Sequence, residues 1–293
     1  MTLTPRIAIP QPTSTDPEYN ERSWKLYAAA VERAGGVAVQ VPLNQPQASL
    51  ARLASSCEAV LLPGSAADLD PEKYGAERLP ECNAKDGARE AVDDLLLQDA
   101  FNLRKPILGI CYGLQSLNVW RSGKLIQDLP RFFAEKASGD PTNQKPVNHK
   151  PGRTVAHAHP VAVVPDSQLA AIVKDAEDSE PVDRQPGFVR ISVNSSHHQA
   201  IAAPGDRMRI VATSPEDGVI EALEGASDGQ WVLGVQWHPE RTYEGSAASR
   251  AIFDAFVQAA AAWKPEPIRE SQPESHPDAE IRRPGLKRPG SKR

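Results

Sequence analysis

Two short stretches of this chain carry the residue types that acyl-transfer chemistry uses. The first is Pro106-Ile-Leu-Gly109-Ile-Cys111-Tyr-Gly113-Leu-Gln115, a cysteine with glycines two residues to either side. This is the G-x-nucleophile-x-G pattern of a strand-to-helix elbow, with Cys in place of Ser. Such an elbow needs flanking glycines, because side chains there would meet the neighbouring strand and helix. It lifts the sulfur to the carboxyl edge of a sheet, where open α/β folds bind ligands. The adjacent helix N-terminus favours a thiolate. The competing reading is a buried, inert cysteine beside packing glycines.

A cysteine nucleophile needs a base and a group to orient it. The second stretch, Gly234-Val-Gln-Trp-His238-Pro-Glu240, supplies both at the end of an apolar strand. Glu240 can hold the His238 imidazole in one tautomer, and Pro239 stiffens the turn between them. Taken alone, His-Pro-Glu is a weak signal; paired with the elbow it completes a triad. The developing oxyanion needs backbone donors. The Tyr112 amide comes directly after the nucleophile, and the turn Leu62-Pro63-Gly64-Ser65 offers a second donor near Gly64.

The elements that must position these groups are legible from pattern. Arg6 to Pro10, Val37 to Val41, Ala59 to Leu62 and Pro106 to Ile110 read as strands. Helical stretches separate them: Asn20 to Ala34, a short one after Pro46, and a long one capped by Asp86. This alternation predicts a flavodoxin-like, doubly wound α/β sheet, mostly parallel, with helices on both faces. The second half reads as added antiparallel strands: Pro160 to Val164, Val189 to Val193, Arg209 to Thr213, Val219 to Leu223 and Trp231 to Gln236. Asp217-Gly218 and Asp228-Gly229 mark hairpin turns between consecutive runs. Ser246 to Trp263 reads as a closing helix, and the polar interval 134–153 as an irregular surface insertion.

Composition narrows the function classes. The 293 residues carry 33 Lys+Arg against 38 Asp+Glu, a net charge of −5, which argues against a nucleic-acid-binding body. No apolar run is long enough to span a membrane, and the first residues lack the long apolar stretch of a secretory signal. Cys57, Cys82 and Cys111 are too few and too scattered for a disulfide framework, so a cytoplasmic setting is expected. The domain is expected to end near residue 263. From Lys264 onward six prolines and eight Lys/Arg stand with no aromatic residue, the composition of a disordered tail. Its basic end has a solubilising role as the simplest account and an acidic partner or RNA as the other.

Histidines complete the inventory. His157 and His159 alternate, and His197-His198 lie together, so a metal site is conceivable; no third ligand stands out at a useful spacing, and no metal or cofactor is expected. His149 and His276 sit in polar, loop-like surroundings that suggest exposure.

Taken together, the elbow, the closing Gly-Val-Gln-Trp-His-Pro-Glu and the Leu-Pro-Gly turn resemble class I glutamine amidotransferases. Pro63 to Pro71 with Tyr74-Gly75, Gly123 to Asp128, Val193-Asn-Ser-Ser-His-His-Gln199 and Asp217-Gly218 through Glu221-Ala222 are similar to their hydrolytic branch, the γ-glutamyl-γ-aminobutyrate hydrolases. The resemblance runs from about Ile7 to Phe256. It implies that Cys111 attacks a γ-glutamyl amide while His238 shuttles the proton and Glu240 orients it. It also implies that Gln115, Ser196 and His197 hold the glutamyl amino and carboxylate groups. Many hydrolases of this branch carry Arg after the nucleophile where this chain has Tyr112, as some ammonia-supplying amidotransferases do, so the acceptor side of the substrate stays open. The expected partner is a small γ-glutamyl substrate, with a homodimer allowed. A glutaminase subunit serving a separate synthase and a catalytically silent binding protein are the alternatives.

Overall fold

The computed structural model describes residues 4–139, 146–182, 187–226 and 229–265. The first half alternates strictly: β1 (Arg6–Pro10), α1 (Pro17–Arg33), β2 (Val37–Val41), α2 (Gln47–Ser55), β3 (Ala59–Leu62), α3 (Gly87–Asn102), β4 (Ile107–Ile110) and α4 (Tyr112–Trp120). Then come β5 (Lys124–Ile126), α5 (Leu129–Gly139), β6 (His159–Val163), α6 (Gln168–Val173), β7 (Ser179–Pro181), β8 (Val189–Val193), β9 (Ala200–Ala203), β10 (Met208–Thr213), β11 (Ile220–Gly225) and β12 (Val232–Val235). The short α7 (Pro239–Thr242) and then α8 (Ala247–Ala262) follow and are the last elements among the described residues.

The strands join one mixed sheet in the order β2-β1-β3-β4-β12-β11-β10-β6-β8-β7, with β5 and β9 paired beside β11. The segment β2-β1-β3-β4-β12 is wholly parallel, the strand order of a flavodoxin-like doubly wound fold. From β11 outward the pairing is antiparallel, so both halves of the expected architecture are present. The inner parallel strands β1, β3, β4 and β12 are apolar on both faces because both are covered. In β1, Ile7 and Ile9 pack with Phe253 and Phe256 of α8, while Ala8 faces the layer of Leu96 and Leu117.

Element bounds differ from expectation where side-chain caps extend the helices. Helix α1 begins at Pro17, not Asn20, because the Asp16 side chain accepts from the Tyr19 amide and Pro17 occupies the first turn. The interval expected to be irregular from residue 134 opens as helix: α5 runs to Gly139, its start held by Asp128 accepting from the Arg131 amide at 2.9 Å. Phe133 anchors it in a small apolar cluster with Leu129, Ala200 and Val219. Residues 140–145, Asp228 of the expected Asp228-Gly229 turn, and all but the first two residues of the tail expected from Lys264, His276 included, lie outside the described residues. No helix among the described residues is long and apolar enough to cross a membrane.

Register does the positioning. Ile110 pairs with Val235 and Leu62 with Gly109, so β3, β4 and β12 end side by side at one sheet edge. The chain leaves that edge through the Pro63-Gly64-Ser65 turn after β3, through Cys111 after β4, and towards His238 after β12.

Candidate active site

Cys111 stands between β4 and α4 with φ 53° and ψ −108°, a conformation L-residues rarely adopt. The Cys111 amide donates to Val235 O at 2.8 Å, tying the elbow to β12. Both flanking glycines are obligatory. A Cβ at Gly113 would lie 2.0 Å from Leu62 O, and one at Gly109 would lie 2.8 Å from Gly113 O. Neither contact is with a flexible side chain, so nothing can yield cheaply.

His238 lies beyond the end of β12 and is held on three sides. Its Nδ1–H donates to Glu240 Oε1 at 2.8 Å, which leaves the Nε2 lone pair as the base. Its amide donates to Asn194 Oδ1 at 2.9 Å, and its carbonyl accepts from Asn194 Nδ2 at 2.8 Å. Across the ring, Gly64 leaves no room for a side chain, since a Cβ there would sit 2.8 Å from His238 Cε1. Cys111 and His238 line one cavity of about 300 Å³, together with Gln115, Ser196, His197 and Arg241.

Electrostatics set the resting protonation. Burial pushes the Cys111 thiol up to about 12, outweighing the Arg241 charge and the Tyr112 amide that favour thiolate. Burial also pushes His238 down to about 4 against the pull of Glu240. The resting pair is therefore neutral thiol and neutral imidazole, not the thiolate that the helix N-terminus alone suggests. Proton transfer to the imidazole must accompany attack.

The remaining sequence candidates divide. The Gly64 amide donates to the Tyr27 hydroxyl at 3.0 Å, whereas the amide of Ser65, which lines the cavity, has no such partner among the described residues. Gln115 is buried and donates at 3.2 Å to Gln199 O and to Gln236 Oε1. Ser196 borders the cavity, half-buried. His197 also borders it, but its Nδ1–H donates to Gln199 O at 2.8 Å and its Nε2 points towards Glu221. Tyr112 does not aim its ring at solvent. It is 1% exposed and lies under the Arg89 guanidinium, 4.8 Å from the ring centroid. That guanidinium donates to Pro63 O at 2.7 Å, so one buried cation locks the elbow to the turn after β3.

Tyr27, Arg89, Asn194 and Arg241 have no role assigned from sequence. Asn194 alone carries a signal, as the residue preceding Ser-Ser-His-His. His149, expected to be exposed, is buried, because Asp217 accepts from its Nε2–H at 3.0 Å. His157 is exposed and precedes β6 instead of sharing it.

Known proteins are similar to this chain. The family model described as peptidase C26 matches residues 7–240. The γ-glutamyl-γ-aminobutyrate hydrolase PuuD of Escherichia coli K12 is 31% identical over 237 residues, covering 80% of this chain and 84% of that one. Protein NtpR of Enterococcus hirae is 28% identical over 234 residues, 79% and 87% of the two chains. A Thermoplasma acidophilum protein described as a GMP synthase subunit superposes with a TM-score of 0.51 at 13% identity, covering 89% and 96% of the two chains. That last likeness is one of fold.

Proposed function

Because the chain belongs to the peptidase C26 family, a class I glutamine amidotransferase-like group, we propose that it hydrolyses γ-glutamyl amides through a Cys111–His238–Glu240 triad. The observation that carries this reading is the strained Cys111 elbow opening into the same cavity as an imidazole whose other nitrogen is held by Glu240 at 2.8 Å. In this mechanism His238 Nε2 takes the thiol proton as Sγ attacks the γ-carbonyl carbon. The carbonyl oxygen becomes an oxyanion facing the amides of Tyr112 and Ser65. The oxyanion collapses, the C–N bond breaks, and His238 returns the proton to the leaving amine. Water, deprotonated by the again-neutral imidazole, attacks the γ-glutamyl thioester and frees glutamate and the thiol.

The cavity wall suits a doubly anionic substrate. Arg241, Arg153 and Lys150 border it beside Cys111, and γ-glutamyl-γ-aminobutyrate carries one carboxylate at each end. Gln115 and Ser196 hold the glutamyl end in this scheme. His197 supports that wall through its backbone and its neighbours, since its ring nitrogens face elsewhere.

The test is a panel of γ-glutamyl amides, glutamine included, with glutamate and amine release both measured. Wild type should release both in equal amounts from γ-glutamyl-γ-aminobutyrate. Cys111→Ala should keep the fold and lose turnover by about 10⁴-fold or more. Retained hydrolysis would overturn the assignment. Glutaminase activity appearing only with an added synthase would favour an ammonia-supplying subunit instead.

A further inference from the structure

Beneath the loop that carries Ser196, four side chains from four separate segments converge on one point, and none of them is used by the triad. They are His149 before β6, His159 at the start of β6, His197 between β8 and β9, and Glu221 on β11. His149 Nδ1, His159 Nε2 and His197 Nε2 lie 3.3, 3.6 and 3.7 Å from the same atom, Glu221 Oε1. All four residues are at most 5% exposed.

The hydrogen bonds elsewhere on each ring fix what these atoms offer. His149 Nε2–H donates to the Asp217 carboxylate at 3.0 Å. His159 Nδ1–H donates to Pro160 O at 3.1 Å, and His197 Nδ1–H to Gln199 O at 2.8 Å. In its neutral form each imidazole spends its one N–H outward and turns a lone pair inward. Against the burial that lowers it, the Asp217 and Glu221 carboxylates raise His149 to about 9, so a bound cation displaces that ring's second proton. The inward atoms, His149 Nδ1, His159 Nε2, His197 Nε2 and both Glu221 oxygens, have no hydrogen-bond partner. Buried acceptors facing one another without a donor are costly, and a carboxylate among them more so.

We propose that His149, His159, His197 and Glu221 form a structural site for a divalent transition metal, with Zn²⁺ the best match. One cation at the convergence point satisfies the three inward imidazole nitrogens and Glu221 Oε1 at once. A tetrahedral ion with bonds of about 2.0–2.1 Å sets its ligands about 3.3–3.4 Å apart, and the N···O separations sit at or slightly beyond that span. The ligand atoms of His149, His159 and Glu221 all fall within 4.8 Å of one another; His197 Nε2, 3.7 Å from Glu221 Oε1, stands outside that group and completes the set by a small shift of its ring. Imidazole with a single carboxylate suits Zn²⁺ and its first-row neighbours, while Mg²⁺ and Ca²⁺ prefer oxygen donors throughout. The outward N–H bonds to a carboxylate and two carbonyls are the support that metal-bound histidines use. Four protein ligands leave no open coordination position, so the ion's work is to hold structure. It pins the 194–199 loop, whose Asn194 grips the His238 backbone, to β6 and β11. The sequence alone does not gather these ligands, because His149 reads as a surface residue and Glu221 as an ordinary strand position.

The experiment uses the full-length chain without a histidine tag, stripped by chelator and titrated with Co²⁺. Uptake of one Co²⁺ per chain, with intense visible bands of tetrahedral Co²⁺ and no thiolate charge-transfer band, is the expected result. Zn²⁺ should displace the Co²⁺ and raise the melting temperature of the stripped protein. Glu221→Gln and His159→Ala should abolish uptake, and Cys111→Ala should keep it. No uptake by wild type, a weak octahedral spectrum, or sulfur charge transfer would each overturn the site. The wild-type spectrum decides the matter even if the variants fail to fold.

Discussion

At the scale of single residues, the triad's character comes from burial acting against its hydrogen bonds. Burial is the largest influence on His238 and pushes it down to about 4, while Glu240 pulls the other way. The imidazole is therefore the neutral base across the neutral range, and the acid limb of kcat/KM should fall near pH 4, well under the ordinary imidazole value of about 6.5. Removing the carboxylate takes away the pull that raises this pKa. Glu240→Gln should thus move the acid limb lower still, not higher, and cut kcat by about 10³- to 10⁴-fold because the amide NH₂ can turn to Nδ1 and favour the wrong tautomer. A pH–rate profile of the two enzymes checks both the shift and the loss. Stability has the same sign. A depressed histidine leaves the unfolded chain binding the extra proton first, so the native state loses stability as pH falls from about 6.5 to 4. His238→Gln should show a shallower decline in melting temperature over that window than wild type.

Elements explain why these residues meet. Ile110 and Val235 end neighbouring parallel strands in register, so strand pairing brings the segments that carry Cys111 and His238 to the same sheet edge. This part is legible in sequence. A buried apolar strand, a strained elbow and a proline-stiffened turn each leave local marks, and the order of strands and helices permits few topologies. What stays illegible depends on contacts distant in the chain. Asn194 grips His238 across 44 residues, and Tyr27 accepts from Gly64 across 37. His149 reads as a surface residue until Asp217, 68 residues on, closes over it. The Asp16 and Asp128 caps at α1 and α5 are a different case, since both are local marks that hydrophobic periodicity alone does not register. Asn194 gives this scale its test as a positioning residue. Asn194→Ala leaves the buried His238 N–H unpaired, which costs about 1–3 kcal/mol. Denaturant melts should show that loss, and kinetics should show kcat falling with KM little changed. A KM effect of the same size as the kcat effect would mean that Asn194 acts on substrate and not on the base.

For the whole molecule, the question is where the folded body stops. Helix α8 ends at Ala262, and Trp263 still belongs to the body, because its indole N–H donates to Leu103 O at 2.9 Å and Lys105 Nζ sits 5.5 Å from its ring centroid. Lys105 is itself fully buried, with its ammonium on Ala54 O at 2.9 Å and on Asp99 at 2.6 Å. Trp263 therefore covers a buried charge that joins α2, α3 and the approach to β4, the strand that delivers the nucleophile. The segment from Lys264 onward carries +3 of charge and three large aliphatic residues. Two truncations separate these contributions. A chain ending at Pro265 should melt within error of the full-length protein and turn over γ-glutamyl substrate equally well. A chain ending at Ala262 uncovers the Lys105 ammonium and discards the half-buried indole. The expected loss is about 1–3 kcal/mol, below the usual cost of deleting a fully buried ring. Calorimetry of both, with kcat measured on each, decides the boundary. An intact Pro265 truncation that loses activity would mean that the basic segment acts on the active site, a role its composition does not suggest.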